Sequence, residues 1–247
     1  MENKCNCGTK PVTRETIDPK VLAGMIDISA VQAQNTEDDV RKIAAMAKKY
    51  GCICAFALPG LTPLLRDELE ENGGRKVKLG GVAGFPSGGD TSETKAFQAA
   101  QLVKLGCDEI DMVMNVGKMR SGDSDYVVRD VATVKKAIGA VPLKVILECH
   151  HLTPDQIAEA ARLAVAGGAA WVKTGTGWAP TGATLENVRI MKEAVGNTAR
   201  VKAAGGVRTL DTICQMINLG VERFGIGSGT VGKIFEELEA LHPGADR

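Results

Sequence analysis

The sequence predicts an α/β protein built as a single (β/α)₈ barrel, and three observations point there. Short apolar runs alternate with amphipathic helical stretches close to eight times. No long linker, low-complexity tract or composition break marks a second domain. The chain has 247 residues, the size at which one α/β barrel closes, typically about 250. Alternation of this kind is the mark of a parallel sheet made of β-α units. Eight strands with about eight helices favour a closed barrel over an open doubly wound sheet.

In chain order, the expected strands are 22–28, 52–57, 77–84, 109–114, 143–148, 170–173, 200–204 and 223–226. Each is short and mostly apolar, as strands covered on both faces should be. Helix starts fall between them. Thr36 precedes Glu37, Asp38 and Asp39, Thr91 precedes Ser92, Glu93 and Thr94, and Thr153 precedes Pro154, Asp155 and Gln156. In each, a hydroxyl able to cap is followed by carboxylate or amide groups in the first turn. Residues 1–17 are expected to be a flexible N-terminal segment, leaving 18–247 as the barrel.

The seven cysteines, an odd number scattered through predicted elements, suit reduced thiols better than a disulfide framework. Cys5 and Cys7 sit in a polar setting and go with the flexible tail rather than with a metal site. Cys52 and Cys54 share their spacing but fall inside an apolar strand. His150 and His151 are adjacent, and cannot ligate a metal from one helical face as an i, i+4 pair would. Lys plus Arg and Asp plus Glu are both 30, so the overall field has no dominant sign and gives no reason to expect a nucleic-acid or membrane partner. No run approaches the roughly 18 apolar residues of a membrane span, and the first residues lack a signal-peptide core. A cytoplasmic protein acting on small molecules is expected.

In such barrels the C-terminal ends of the strands form the active site. Ionisable residues are frequent in these strands or at their ends: Asp27, Asp111, Glu148, Lys173 and Lys202. Buried charges are costly unless paired or used. Lys173 ends an apolar strand that opens into Thr174-Gly175-Thr176-Gly177, and Lys202 occupies a comparable strand before Gly205-Gly206. Neighbouring strands lie about 4.8 Å apart, so two inward lysines at matching heights would bring their ammonium groups within roughly 5 Å. At an effective dielectric near 20 the repulsion is on the order of 3 kcal/mol, about two pKa units. One amine can then be neutral near pH 7 and attack an aldehyde or ketone, after which the iminium withdraws electrons from the adjacent carbon. Asp111 is the natural proton-transfer group, with Glu109 of the same parity one layer deeper. The bland alternatives are a buried Asp111–Lys202 ion pair and a Lys173 that snorkels to the barrel mouth.

Gly225-Ile226-Gly227-Ser228-Gly229-Thr230 and Gly205-Gly206-Val207-Arg208-Thr209 follow the eighth and seventh strands. Loops at those positions, backed by helix N-termini, are where these barrels bind phosphate. Glycine lets the backbone approach an anion closely.

The segments 81–88, 108–111, 144–148, 172–177 and 201–209 resemble, in order and spacing, the deoxyribose-phosphate aldolase family, and the resemblance runs from about Ile26 to Thr230. It implies a class I lyase that cleaves 2-deoxyribose 5-phosphate reversibly to acetaldehyde and glyceraldehyde 3-phosphate, with no metal or organic cofactor. By that likeness Lys173 forms the Schiff base, and Asp111 relays protons with Lys202 beside it. Gly177, Gly205, Gly206, Gly227 and Ser228 hold phosphate, and Asp27, Ser29, Cys54, Glu148 and Thr176 support the site. A homo-oligomer is expected on the same ground. The chain departs from the family pattern at Ile28-Ser29-Ala30-Val31 and at Phe56-Ala57-Leu58-Pro59. It departs again at Cys149-His150-His151-Leu152, where a histidine could reach the pocket as an extra donor, and it lacks a tyrosine after Tyr126. Those departures leave room for a related Schiff-base lyase with another aldehyde or ketone donor. A catalytically idle barrel that senses a sugar phosphate is the reading from a different class. A panel of donors separates all three, since the sensor would turn over none of them.

Overall fold

A computed structural model describes residues 11–70 and 74–243. Eight parallel strands close into a barrel in sequential order, β1 Ile26–Ala30, β2 Cys54–Ala57, β3 Lys78–Ala83, β4 Glu109–Val113, β5 Leu143–Ile146, β6 Trp171–Lys173, β7 Arg200–Ala204 and β8 Val221–Gly227, with β8 pairing back onto β1. The helices are α1 Pro19–Ala23, α2 Glu37–Tyr50, α3 Thr62–Leu69, α4 Ser92–Leu105, α5 Val116–Arg120, α6 Ser124–Ile138, α7 Pro154–Ala166, α8 Leu185–Val195, α9 Leu210–Asn218 and α10 Ser228–Leu241. No helix among the described residues is long and apolar enough to cross a membrane.

The three helix-start signals act as the sequence predicts. Thr36 and Thr153 each complete a reciprocal capping box, with Asp39 and Gln156 respectively, and the Thr91 side chain accepts the amide of Thr94. Each satisfies backbone donors that a helix end leaves without partners.

Several strand boundaries differ from the expectation. The first strand begins at Ile26 rather than residue 22, because Asp18 accepts the amides of Lys20 and Val21 and Pro19 stands in the first turn, which starts a short helix there. The fifth ends at Ile146, since Glu148 turns out of the extended conformation with φ +52°. The eighth is longer than predicted, held between Val201 of β7 and Ser29 of β1.

The expected flexible segment 1–17 takes a different form over its described part. Asn218 exchanges hydrogen bonds with the Val12 backbone at 2.9 Å in both directions, Arg14 pairs with Asp211 and Glu237, and Ile17 is buried in the core. Side chains 197 to 206 positions away in sequence, Asp211 and Asn218, supplied partners that no local pattern announces. Cys5 and Cys7 lie outside the described residues.

The main apolar core is the annulus between strands and helices. Outward residues such as Ile28, Ala55, Leu79, Ile110, Val145, Val172, Val201 and Phe224 pack there against α2, α4, α6, α7 and α10. A second, small apolar cluster of Val31, Cys54, Phe56 and Val82, with Phe85 against it, lies apart from it. Much of the remaining interior is charged, with Val113, Ile146 and Trp171 among the charges, so alternate positions along the strands divide an apolar outer face from a largely ionic lumen.

Candidate active site

Every strand except β2 and β3 places a buried charged side chain in the lumen; β2 contributes Cys54 and Phe56, and β3 the half-exposed Lys78. The register sets Lys173 directly beside Lys202, and Asp111 beside Lys144. Lys173 Nζ and Lys202 Nζ both donate to the same oxygen, Asp111 Oδ2, each at 2.8 Å. The other oxygen, Oδ1, accepts from Lys144 at 3.1 Å. Asp111 thus sits among three ammonium groups. Burial opposes its ionisation, but Lys144, Lys173 and Lys202 outweigh that and hold its pKa well below the usual carboxylate range.

Lys173 is the exception among these cations. Its pKa is lowered from 10.5 to about 8. Burial is the largest cause, Asp111 works against it, and Lys202 adds repulsion. Reasoning from sequence assigned the whole effect to the second lysine; the correction is that the loss of water comes first. Lys173 does not snorkel out, since it is only 7% exposed.

A deeper layer balances these charges. Asp27 faces Lys202 at 2.5 Å and accepts from Arg223 at 2.7 Å. Glu109, one layer below Asp111 as its parity required, takes Lys144, Arg223 and Lys78. Burial disfavours the charged forms of Asp27 and Glu109, yet the neighbouring cations leave both pKa values below normal. Asp27, Cys54 and Glu109 lie close enough to share an ion. The two carboxylates are already paired with lysine and arginine, however, and burial keeps the Cys54 thiol protonated by raising its pKa well above normal.

Above the charged layer opens a cavity of about 240 Å³. Lys173 and Lys202 form part of its floor with Asp27 and Ser29. One wall is apolar, made by Val31, Phe56, Val82 and Phe85. Another part of the lining is backbone-rich, with Gly177, Gly205, Gly206 and Gly227 joined by Gln32, Arg208 and Thr230. Gly205 and Gly177 have φ of +82° and +83°, a region where a side chain is strained. A Cβ on Gly205 would also stand 3.4 Å from the Gly177 amide nitrogen. Ser228 does not line the cavity; it is the residue after Gly227, at the start of α10.

Two supporting residues act through the loop after β6. Glu148 accepts the Thr176 amide at 3.2 Å and also the Thr176 hydroxyl, while Thr176 itself reaches the cavity. Trp178 closes the same loop onto the first one by donating its indole N–H to the Val31 carbonyl at 2.8 Å. Cys54 lies sealed beneath, outside the cavity lining.

His150 and His151 do not reach this cavity. They line a separate shallow cleft with Arg120, Thr153 and Gln156, and His150 Nδ1 meets Thr181 Oγ1 at 2.7 Å. A 3₁₀ turn over Cys149–His151 directs both rings outward. Sequence reasoning also passed over Lys144, Arg223 and Phe56. The signal for the first two was present: Lys144 is a charge inside the four-residue apolar strand Leu143–Ile146, and Arg223 shares the inward parity of Gly225. Phe56 places its ring 4.5 Å from Lys202 Nζ and 4.9 Å from Lys144 Nζ, a cation–π contact with each.

A closed β/α barrel with a buried lysine of lowered pKa at a glycine-lined cavity has the arrangement of an enzyme that acts on carbonyl compounds. The particular family follows from its sequence: residues 15–232 match the model of DeoC/LacD family aldolases, and the chain belongs to that family. It is 46% identical over 244 residues to a deoxyribose-phosphate aldolase of Rhizobium meliloti, covering 99% of this chain and 96% of that protein. With the deoxyribose-phosphate aldolase of Klebsiella pneumoniae it shares 47% identity over 222 residues, 90% of this chain and 89% of the relative. Among solved structures, the tetrameric deoxyribose phosphate aldolase of Aeropyrum pernix superposes with a TM-score of 0.79 at 28% identity, over 91% of this chain and 94% of the other.

Proposed function

We propose that the chain is a class I aldolase that cleaves 2-deoxy-D-ribose 5-phosphate reversibly to acetaldehyde and D-glyceraldehyde 3-phosphate. Lys173 carries the reading: an amine lowered to about 8, on the floor of the cavity and sharing one oxygen of Asp111 with Lys202. Neutral Lys173 adds to the aldehyde carbon of the open-chain sugar, and loss of water from the carbinolamine leaves a protonated imine. The bond between carbons 2 and 3 then breaks, the carbon-3 hydroxyl gives up its proton, and the electron pair flows into the imine to form an enamine. Protonation at carbon 2 and hydrolysis release acetaldehyde and restore the amine. Asp111 and Lys202, joined by a 2.8 Å hydrogen bond, pass the protons. Asp27 holds Lys202 in place, with Ser29 beside it at the cavity floor.

The 5-phosphate takes the end formed by Gly177, Gly205, Gly206 and Gly227, with Ser228 at the first turn of α10. Amide groups there, with the helix dipole behind them, suit an anion. Glu148 and Thr176 keep that end at its distance from Lys173. The apolar wall of Phe56, Val82 and Phe85 suits a donor carbon without a hydroxyl, as in acetaldehyde; a small ketone is equally apolar, and a donor panel distinguishes the two. Breakdown of phosphorylated deoxy sugars in the cytoplasm is the setting we infer, supported by the unpaired thiols of Cys52, Cys54, Cys107, Cys149 and Cys214. Assembly into a homo-oligomer is supported by the Aeropyrum pernix relative.

The experiment is reductive trapping. Borohydride with acetaldehyde, or with the sugar phosphate, should add the reduced donor's mass to the peptide carrying Lys173. Lys173→Leu should abolish that adduct in a protein that still folds. An adduct of undiminished yield in the variant would overturn the assignment.

A further inference from the structure

Lys173 can act only if it loses its proton beside a carboxylate that favours keeping it, and the lumen shows how that conflict is settled. Three carboxylates are buried there among the described residues: Asp27 of β1, and Glu109 and Asp111 of β4. Facing them are Lys144 of β5, Lys173 of β6, Lys202 of β7 and Arg223 of β8. Lys78 of β3 reaches Glu109 from the solvent end, Cys54 of β2 stays a neutral thiol, and Glu148 at the end of β5 is turned toward Thr176. Three of the four buried cations suffice to match the three carboxylates. Lys144, Lys202 and Arg223 each reach at least two of these carboxylates, whereas Lys173 reaches Asp111 alone, so Lys173 is the one whose charge the lumen needs least.

Lys144 has the central position in this arrangement. It is fully buried and reaches all three carboxylates: Glu109 at 2.5 Å, Asp111 Oδ1 at 3.1 Å and Asp27 at 3.6 Å. By taking Oδ1 it leaves Asp111 only Oδ2 for Lys173 and Lys202. The Phe56 ring 4.9 Å away stabilises its charge further.

We propose that Lys144, with Arg223 behind it, is a positioning residue that occupies one oxygen of Asp111 and offsets the carboxylate charge, so that Lys173 is free to become the neutral nucleophile. This inference rests on the reading that Lys173 forms the imine. Removing Lys144 would leave three carboxylates facing Lys202, Arg223 and Lys173, and Lys173 would then be needed as a cation.

The test measures the Lys173 amine directly. The pH dependence of its acetylation by a trace of acetic anhydride, read by mass spectrometry of the peptide, gives its titration midpoint without reference to turnover. Lys144→Met should raise the midpoint by about one unit, so that roughly tenfold less neutral amine is present at pH 7. Lys144→Arg should return the midpoint toward the parent value, and adding Glu109→Gln to Lys144→Met should lower it again. A folded Lys144→Met protein with an unmoved midpoint overturns the proposal. Should that variant fail to fold, Glu109→Gln alone decides: a lowered midpoint supports the proposal and an unchanged one overturns it. Borohydride trapping of the parent protein with acetaldehyde is run alongside. Absence of an adduct there sinks the imine reading, whereas the labelling midpoints still judge the charge arrangement.

Discussion

Lys173 makes the folded protein less stable through the same burial that lowers its pKa. Its pKa of about 8 in the fold lies below the 10.5 of a free lysine, so between those values the unfolded chain binds more protons than the folded one. Stability therefore rises with pH through that window, and below it the fold bears a penalty on the order of 3 kcal/mol. Lys173→Leu should accordingly gain about 1–3 kcal/mol at pH 7, raising Tm by several degrees. The gain should shrink as pH rises from 8 toward 10.5. Calorimetry at pH 7 and pH 10 checks it, and a variant less stable than the parent at pH 7 would contradict it. Lys173, Lys202 and Asp111 could be picked out of the sequence because a charge in an apolar strand has to be explained. Lys144 and Arg223 carry the same signal, a charge within an apolar strand, but their roles depend on Asp27, Glu109 and Asp111, partners that only closure of the barrel brings to them.

At the scale of elements, β2 and β3 show how a small residue can define a site. Phe56 lies over the lysines only because its neighbour across the sheet is Gly80; a Cβ there would fall 2.2 Å from the Phe56 ring. Gly80→Ala must push the ring off the lysine pair, and overpacking of this kind costs about 1–3 kcal/mol. The expected result is a lower Tm together with reduced trapping at Lys173. The second variant Phe56→Leu should relieve the clash and recover part of the stability but not the trapping. Full trapping in Gly80→Ala would show that the ring has no part in the chemistry. The existence of all eight strands was readable from apolar runs, and the helix starts from their capping residues. Boundaries were not: Asp18 and Pro19 redirect the first strand, and Glu148 leaves the fifth at a backbone angle that no propensity favours for a glutamate.

The whole molecule turns its charge network into a pH limit. Asp27, Glu109 and Asp111 all have pKa values below those of free carboxylates. The stability they confer is thus present above about pH 4 and is lost as pH falls through their lower values in the fold. Because they share Lys144, Lys202 and Arg223, protonating one leaves cations facing each other and promotes the loss of the next. Acid unfolding followed by circular dichroism should be steep, and Glu109→Gln should flatten it; an equally steep curve in that variant would argue against coupling.

By itself the sequence determined the barrel and the family, and it singled out Lys173, Asp111 and the glycine turns after the last three strands as candidates. Each of those follows from local pattern: period, parity, strand position and turn chemistry. Which of four lumen cations has its pKa lowered, and which aromatic ring lies over two of the others, only the tertiary structure decided. Burial and charge are sums over neighbours contributed by every strand, and no segment of chain contains them.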